Sequence, residues 1–351
     1  MSFFYRFSAV KGLQAGREYY IAMIPLGILS KLFGKENEYV PPEYRAQRCI
    51  NQARIPEIAR YILDNRDTYV FSALSASIDG NFKFISSELD ANLGILEVDM
   101  NAAFLINDGQ HRKAAIDEAL SEAPELAKET ISVVFFEDEG LSRSQQMFAD
   151  LNKHAVKSTV SLSTLYDSRD DLANAVKRAS IEVPFLAKYI DKEKDNLGKN
   201  AGKLFTLSNF LKANQRILKD DVITKEDGDF LVQYWNCIFN SIDEWRQLEL
   251  KRMHKCDLRE NYMLTLSITM QAFGRLGRYF YEHKDEMGKL NDLNGIDWMR
   301  SNDGWKGRAL DNNGKVIANE DAVIKICSYI KSKLKIALTK EEEKKENELR
   351  R

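Results

Sequence analysis

The feature that most constrains this chain's fold is a change of hydrophobic period part-way along it. Before about residue 160, short β-rich runs alternate with helix-length patterns; beyond it, apolar residues recur at helical spacing over long stretches. A chain of 351 residues carrying both patterns predicts an α+β protein: a mixed α/β N-terminal domain, then a mostly helical one. The expected boundaries are 1–165, 166–338 and a charged tail, 339–351.

In the first part, Tyr19 to Ile24 reads as a strand ending at Pro25, and Ile55 to Leu63 as a helix with Pro56 in its first turn. Glu43 to Ile50 also has helical spacing. The run Tyr69 to Ile78, the triplet Asp79-Gly80-Asn81 and Phe82 to Ile85 read together as a hairpin. Leu93 to Val98, Ala103 to Ile106 and Ile131 to Phe136 are further strands. Lys113 to Leu120 is helical, and Ser142 caps a helix reaching His154. Later helices are expected over Leu172–Ala179, Leu207–Leu218, Phe230–Glu249, Asn261–His283 and Ala322–Leu338, with a polar, basic loop from Asp191 to Lys203. Asn313-Gly314 signals a late β-hairpin. The tail balances five bases against five acids and reads as a solvated helix extension.

Lys plus Arg is 51 against 53 Asp plus Glu, a net charge of −2, which excludes a protein whose bulk charge drives nucleic-acid binding. Local excess remains: residues 1–60 carry nine bases against five acids, and residues 192–220 seven against three, each +4. The four cysteines lie far apart without zinc spacing, so a reduced, cytoplasmic protein without metal is expected. The start of the chain lacks a signal-peptide pattern. The longest apolar run, Tyr19 to Leu29, has about 11 residues against the ~20 a membrane span needs. P-loop, GxGxxG, HExxH and GxSxG motifs are absent.

One segment combines chemistry with a telling local order. Phe104-Leu105-Ile106 runs into Asn107-Asp108-Gly109, and a helix follows at Gln110-His111-Arg112. A strand–Gly turn–helix leaves the first helical N–H groups free at the positive end of the helix dipole, and His111 and Arg112 add donors, so the segment suits an anion such as phosphate. The plainer alternative makes Asp108 an N-cap and leaves the cations solvated. A second group, Asp150-Leu151-Asn152-Lys153-His154, places Asp150 and His154 one turn apart, either for proton transfer and phosphate binding or as a surface pair. Lys157 and Tyr166-Asp167-Ser168-Arg169-Asp170 either extend it or form an ion-pair cluster.

Asn107-Asp108-Gly109-Gln110-His111-Arg112 resembles the signature of the DGQHR-domain family. Flanks such as Pro25-Leu26-Gly27, Arg45-Ala46-Gln47-Arg48, Tyr69 to Leu74, Met147 to Lys157, Leu204 to Leu207 and Ile296-Asp297-Trp298 through Arg308 resemble its DndB branch. The resemblance implies a DNA-binding transcriptional regulator or accessory protein of DNA phosphorothioate modification. Double-stranded DNA of the modification operon's promoter, other proteins of the system and a second copy of the chain are then the expected partners. The strand–turn–helix is also similar to the ParB/sulfiredoxin superfamily, whose turn holds nucleotide phosphates or serves nuclease activity. That likeness implies an alternative, a nucleotide-hydrolysing or DNA-nicking enzyme with ATP or CTP and magnesium, using Asp108, His111, Arg112, Asp150 and His154. Phosphate contacts would come from Asp108, Gly109, Gln110, His111, Arg112, Asn152 and Lys153. Sulfiredoxins place a cysteine where this chain has Gln110, which argues against their chemistry.

For DNA, the basic segments nominate Arg45, Arg48, Lys199, Lys203, Lys212, Arg216, Lys306 and Arg308. Leu207 to Lys219 and Lys251 to Arg259 are the candidate recognition helices. Cys49, beside Arg45 and Arg48, is either a low-pKa thiol or a buried structural cysteine.

Overall fold

The computed structural model describes residues 3–34, 51–153, 158–198, 201–219 and 222–349. The expected helix over 43–50 lies outside them, as do Arg45, Arg48, Cys49, His154, Lys157 and Lys199. The side chains of Asn152 and Lys153 are also outside the description. The chain forms two compact units, Met1–Val156 and Lys157–Arg351.

The first unit is a mostly antiparallel sheet of seven strands among the described residues. It is built from β1 (Phe4–Gln14), β2 (Arg17–Pro25), β3 (Leu74–Asp79), β4 (Phe82–Ser86), β5 (Leu93–Asp99), β6 (Ala103–Asp108) and β7 (Thr130–Glu137). Its helices are α1 (Leu26–Leu32), α2 (Ile55–Asp64), α3 (Gln110–Glu122) and α4 (Leu141–Lys153). The strand order is β4-β5-β1-β2-β7-β3-β6, with β3 and β7 parallel. Strand β1 has no counterpart in the sequence expectations. It joins β2 through Ala15-Gly16, both at positive φ (50° and 77°), the two-residue turn whose twist suits a hairpin.

The expected hairpin at Asp79-Gly80-Asn81 is a correction. Strand β3 pairs with β6 and β7, and β4 pairs with β5. The segments β3–β4 and β5–β6 are the two arms of one long ribbon, which reverses between Ser87 and Leu93 (Ser87 N–H to Leu93 O, 2.6 Å). Gly80 (φ 136°) is a bend in one arm. A Cβ there would lie 2.8 Å from the Ala102 Cβ of the other arm, so only glycine lets the arms stay paired through the kink. The bent ribbon carries β4–β5 to one sheet edge and β3–β6 to the other, curling the sheet around a core of Phe7, Ala22, Ile24, Leu74, Leu96 and Phe135. Helices α1, α2 and α3 add Leu29, Ile62 and Ile116 to that core. Helix α4 begins one residue before Ser142, so Ser142 lies inside its first turn rather than at the cap, and the Gly140 carbonyl accepts the N–H groups of Arg143 and Ser144.

The second unit is helical. It comprises α5 (Val160–Tyr166), α6 (Asp171–Glu182), α7 (Pro184–Tyr189), α8 (Leu207–Ile217), α9 (Lys225–Ser241), α10 (Asp243–Glu249), α11 (Lys255–Asn261), α12 (Ser267–Glu282), α13 (Glu320–Lys333) and α14 (Lys340–Leu349). All four tryptophans, Trp235, Trp245, Trp298 and Trp305, are fully buried in its core. Helices α8 and α12 cross so closely that a Cβ on Gly274 would meet the Ala213 carbonyl at 2.2 Å. Trp298 and Trp305 stack with centroids 5.5 Å apart, so the Asp297–Arg308 stretch is a scaffold element.

The late hairpin is present in minimal form: Leu310 bridges Val316 antiparallel, with the Asp311 N–H donating to the Lys315 carbonyl (2.9 Å) and the Ile317 N–H to the Ala309 carbonyl (2.8 Å). The Asp311 carboxylate accepts the N–H groups of Asn313 (2.8 Å) and Lys315 (2.9 Å) within the turn. One expectation is corrected here. The charged tail is a docked helix: after α13 the chain passes through Lys335 at φ 57° and returns as α14, with Glu342 1% exposed.

Candidate functional site

The Asn107–Arg112 turn is assembled by the end of β6 and the start of α3. Gly109 is the N-cap at φ 105°, where an L side chain is strained. A Cβ would also lie 2.4 Å from Leu74 Cδ2 and 3.2 Å from Arg112 Nη2. Gly109→Ala is expected to lower unfolding stability by about 2 kcal/mol, read by urea denaturation.

Asp108 is not the N-cap; its carboxylate accepts from Arg112 Nη2 at 2.7 Å. Arg112 Nη1 donates to the carbonyls of Ser72 (2.7 Å) and Ala73 (2.8 Å) and to the Ser72 hydroxyl. Its side chain is only 17% exposed. The guanidinium is thus a clamp between the segment before β3 and the β6–α3 turn. His111 Nε2 accepts the Asn51 N–H at 2.9 Å, which requires that nitrogen to be unprotonated. Gln110 is buried and bonds back to the Ile106 carbonyl at 3.2 Å. The Gln110, His111 and Arg112 side chains are thus each engaged by neighbouring groups of the fold. Among the described residues no cluster of three His, Cys, Asp or Glu could hold a metal.

Sequence reasoning passed over Asn107. It is fully buried and donates to Ser77 Oγ (2.7 Å) and Met147 Sδ (3.1 Å), fastening α4 to β3 and β6. Its Oδ1 and the Ser75 hydroxyl have no partner. Asp150 meets Gln146 Nε2 at 2.7 Å. Asp167 and Asp170 bond to nearby backbone N–H groups, and Asp170 caps α6.

The DNA candidates separate into two sets. Arg216 is held by both oxygens of Glu320 (2.6 Å each) and by Gln271. Arg308 is held by Glu346 and lies over the Tyr329 ring. Lys306 pairs with Asp303 at 2.6 Å. These three are neutralised locally. Lys212 is exposed on α8.

Lys203 belongs to a different setting. Residues 192–198 and 201–203 fold against α11: Lys203 Nζ donates to the Lys188 carbonyl (2.8 Å), Lys255 Nζ to the Gly202 carbonyl (2.9 Å), and Arg259 to the carbonyls of Lys203 and Gly198. Arg300 donates to the Arg259 carbonyl at 2.7 Å. Lys188, Lys192, Lys203 and Lys255 have no ion pair among the described residues. Burial, then the Lys203 charge, push the Lys192 ammonium below its ordinary value, and burial lowers Arg259 and Arg300. Asp191 and Asp195 of this loop are engaged by backbone N–H groups, whereas the Glu193 side chain is exposed. Asp191 accepts the N–H groups of Glu193 and Lys194. Burial raises Asp195, but the backbone N–H groups of Ser161 and Val160 outweigh it and hold its carboxyl low. Two segments nominated separately by sequence thus meet through Gly198, Gly202 and Lys203 on one side and Lys255 and Arg259 on the other, with Lys188 and Arg300 added by the fold.

The helical unit thus carries a group of lysines without an ion pair among the described residues. The chain belongs to the DndB family, DNA-sulfur modification-associated, whose model matches residues 7–337. It is also similar to non-structural protein 1 of Aquareovirus G, 32% identical over 118 residues, 33% of this chain. The matched stretch spans only 16% of that relative's length. No solved structure matches the chain. Among the described residues no helix is long and apolar enough to cross a membrane.

Proposed function

We propose that the protein is a DNA-binding regulator or accessory factor of the DNA sulfur modification system, and that it grips duplex DNA through the surface of its helical unit that carries Lys188, Lys192, Lys203 and Lys255. The carrying observation is the concentration there of lysines without an ion pair among the described residues, beside Asp191 and Asp195, whose carboxylates are taken up by backbone N–H groups. A phosphate backbone rewards such a surface by counterion release, even at a net charge of −2. The β6–α3 turn, on this reading the ParB-like element of the family, acts as a rigid brace. Other proteins of the modification system are the expected macromolecular neighbours.

The test is a mobility-shift titration on the promoter of its own modification operon at several salt concentrations. Four phosphate contacts predict a fall in affinity of about 10²-fold between 50 and 200 mM salt. The double variant Lys192→Ala/Lys255→Ala should reduce the log–log salt slope by about 2 units. Promoter binding no tighter than scrambled duplex would defeat the regulator reading, and an unchanged slope would defeat this surface.

A further inference from the structure

The curl of the first unit's sheet leaves one end of its interior open. Tyr20 on β2 meets the rings of Phe82 and Phe84 on β4 at centroid distances of 5.9 and 5.4 Å, although β1 and β5 lie between those strands in the sheet. The strands therefore wrap like part of a barrel. At its open end β2 begins, β7 ends, the ribbon bends at Gly80 and α4 starts. Asp138 fixes α4 there, its carboxylate accepting the Gly140 N–H and the Ser144 hydroxyl at 3.0 Å each. These elements enclose a cavity of about 470 Å³, a size usual for small-molecule sites, which favour barrel mouths. Its apolar lining is Tyr20, Phe82, Phe136 and Met147. Some of its charges are settled within the fold: Arg17 pairs with Glu139 at 2.6 Å, and Glu18 takes Lys11 at 3.0 Å and the Tyr20 hydroxyl at 2.8 Å. The Glu137 carboxylate and the Arg143 guanidinium are not. Both line the cavity, yet neither has an ion pair or side-chain hydrogen bond among the described residues, and they do not pair with each other. Glu137 is nonetheless felt within: after burial and Glu18, its charge helps to raise the Tyr20 hydroxyl above its ordinary pKa. The Asn81 amide, on the bend, lines the same space.

We propose that this cavity binds a small zwitterion with an apolar body, of the chemical class of the apolar α-amino acids. The ligand's carboxylate meets Arg143, its ammonium meets Glu137, and its side chain lies against Tyr20, Phe82 and Met147. Charge balance selects the class. A neutral apolar ligand would cover two unpaired ions, an anion would satisfy Arg143 and strand Glu137, and a cation would do the reverse. A polyanion such as a nucleotide would also face Glu18, Glu137 and Glu139, three carboxylates against the two guanidiniums of Arg17 and Arg143. A zwitterion pairs both free groups and adds no net charge. The planar fork of a guanidinium matches a carboxylate through two parallel hydrogen bonds. Aromatic rings and a thioether give the side chain a surface that fits by shape and dispersion.

Isothermal titration calorimetry of the full chain with L-phenylalanine, L-tryptophan, L-leucine and L-methionine tests this. At least one should bind with a Kd of about 0.1 mM. Its N-acetyl derivative, which lacks the ammonium, and its methyl ester, which lacks the carboxylate, should each bind about 10-fold more weakly. Glu137→Gln should weaken the amino acid about 10-fold and leave the N-acetyl derivative within about 2-fold. Arg143→Gln should do the same to the amino acid and leave the methyl ester within about 2-fold. That crossed pattern is one that a change of fold alone does not produce. The two derivatives, titrated into the wild type, decide the matter if either variant fails to fold by circular dichroism. No amino acid of the four binding more tightly than about 1 mM overturns the proposal. Derivatives that bind as well as the parent overturn it equally, because the charges would then play no part. So does binding unchanged in both variants, because the ligand would then lie elsewhere.

Discussion

Glu342→Ala should lower unfolding stability by about 3–5 kcal/mol, the largest single loss expected in this protein. Glu342 is 1% exposed and sits 2.9 Å from Lys331 Nζ, itself 4% exposed; Arg275 Nε is 3.2 Å away on the same carboxylate. The carboxylate also accepts the Thr339 N–H at 2.9 Å, while Thr339 Oγ1 accepts the Glu342 N–H, closing a capping box at the start of α14. Truncating Glu342 strands a buried ammonium and removes the cap together. The companion Glu342→Leu/Lys331→Met, which removes both charges, should recover most of the loss, because an apolar pair of similar volume avoids desolvating two ions. Urea denaturation of the single and double variants measures the coupling. The pH dependence has a definite sign. Burial opposes the charge of Glu342, but the Thr339 N–H, Lys331 and Arg275 outweigh it and hold the carboxyl below the usual range. A lowered folded pKa stabilises fully above the unfolded value of about 4.3, and this part of the stability disappears as pH falls through the folded pKa. The Cys327 thiol, buried against the same cluster and pushed up to about 12, stays protonated throughout.

Read as composition, the 340–351 tail was indistinguishable from a solvated helix, because its acids and bases cancel and apolar residues are few. The Thr339-x-x-Glu342 capping box was visible in the sequence and marks a new helix start. What sequence could not supply was the partner, since Lys331 reaches Glu342 only after the left-handed turn at Lys335. The same limit explains the ribbon. Asp79-Gly80-Asn81 has hairpin chemistry locally, but the pairing of Ile78 with Phe104 and of Phe82 with Val98 is settled by strands distant in sequence. Strands with a short continuous apolar run, such as β7, and helices with a wide apolar stripe, such as α8, are legible because a local pattern alone marks them. At the candidate site, the basic segments were legible as charge counts. Whether each cation is neutralised was not, because Arg216 and Lys203 differ only in what the fold places beside them: Glu320 for one, a backbone carbonyl for the other.

The second large effect is expected at Arg112, and it separates a brace from a phosphate hand. Arg112→Ala removes charge-assisted donors to two carbonyls, a hydroxyl and the Asp108 carboxylate, and should lower stability by about 3 kcal/mol. Arg112→Lys keeps the charge but not the planar fork; one ammonium cannot span Ser72, Ala73 and Asp108 together, so about half of the loss should remain. Below the denaturation midpoint, the folded Arg112→Ala protein should bind promoter DNA within about 2-fold of wild type, with an unchanged salt slope. Were the turn instead a nucleotide or DNA phosphate site, the order would invert: stability close to wild type, and binding or hydrolysis lost. Denaturation midpoint and DNA affinity, measured on one preparation of each variant, therefore move in opposite senses under the two mechanisms. The partly buried guanidinium with four acceptors already in place is the physical reason to expect the first.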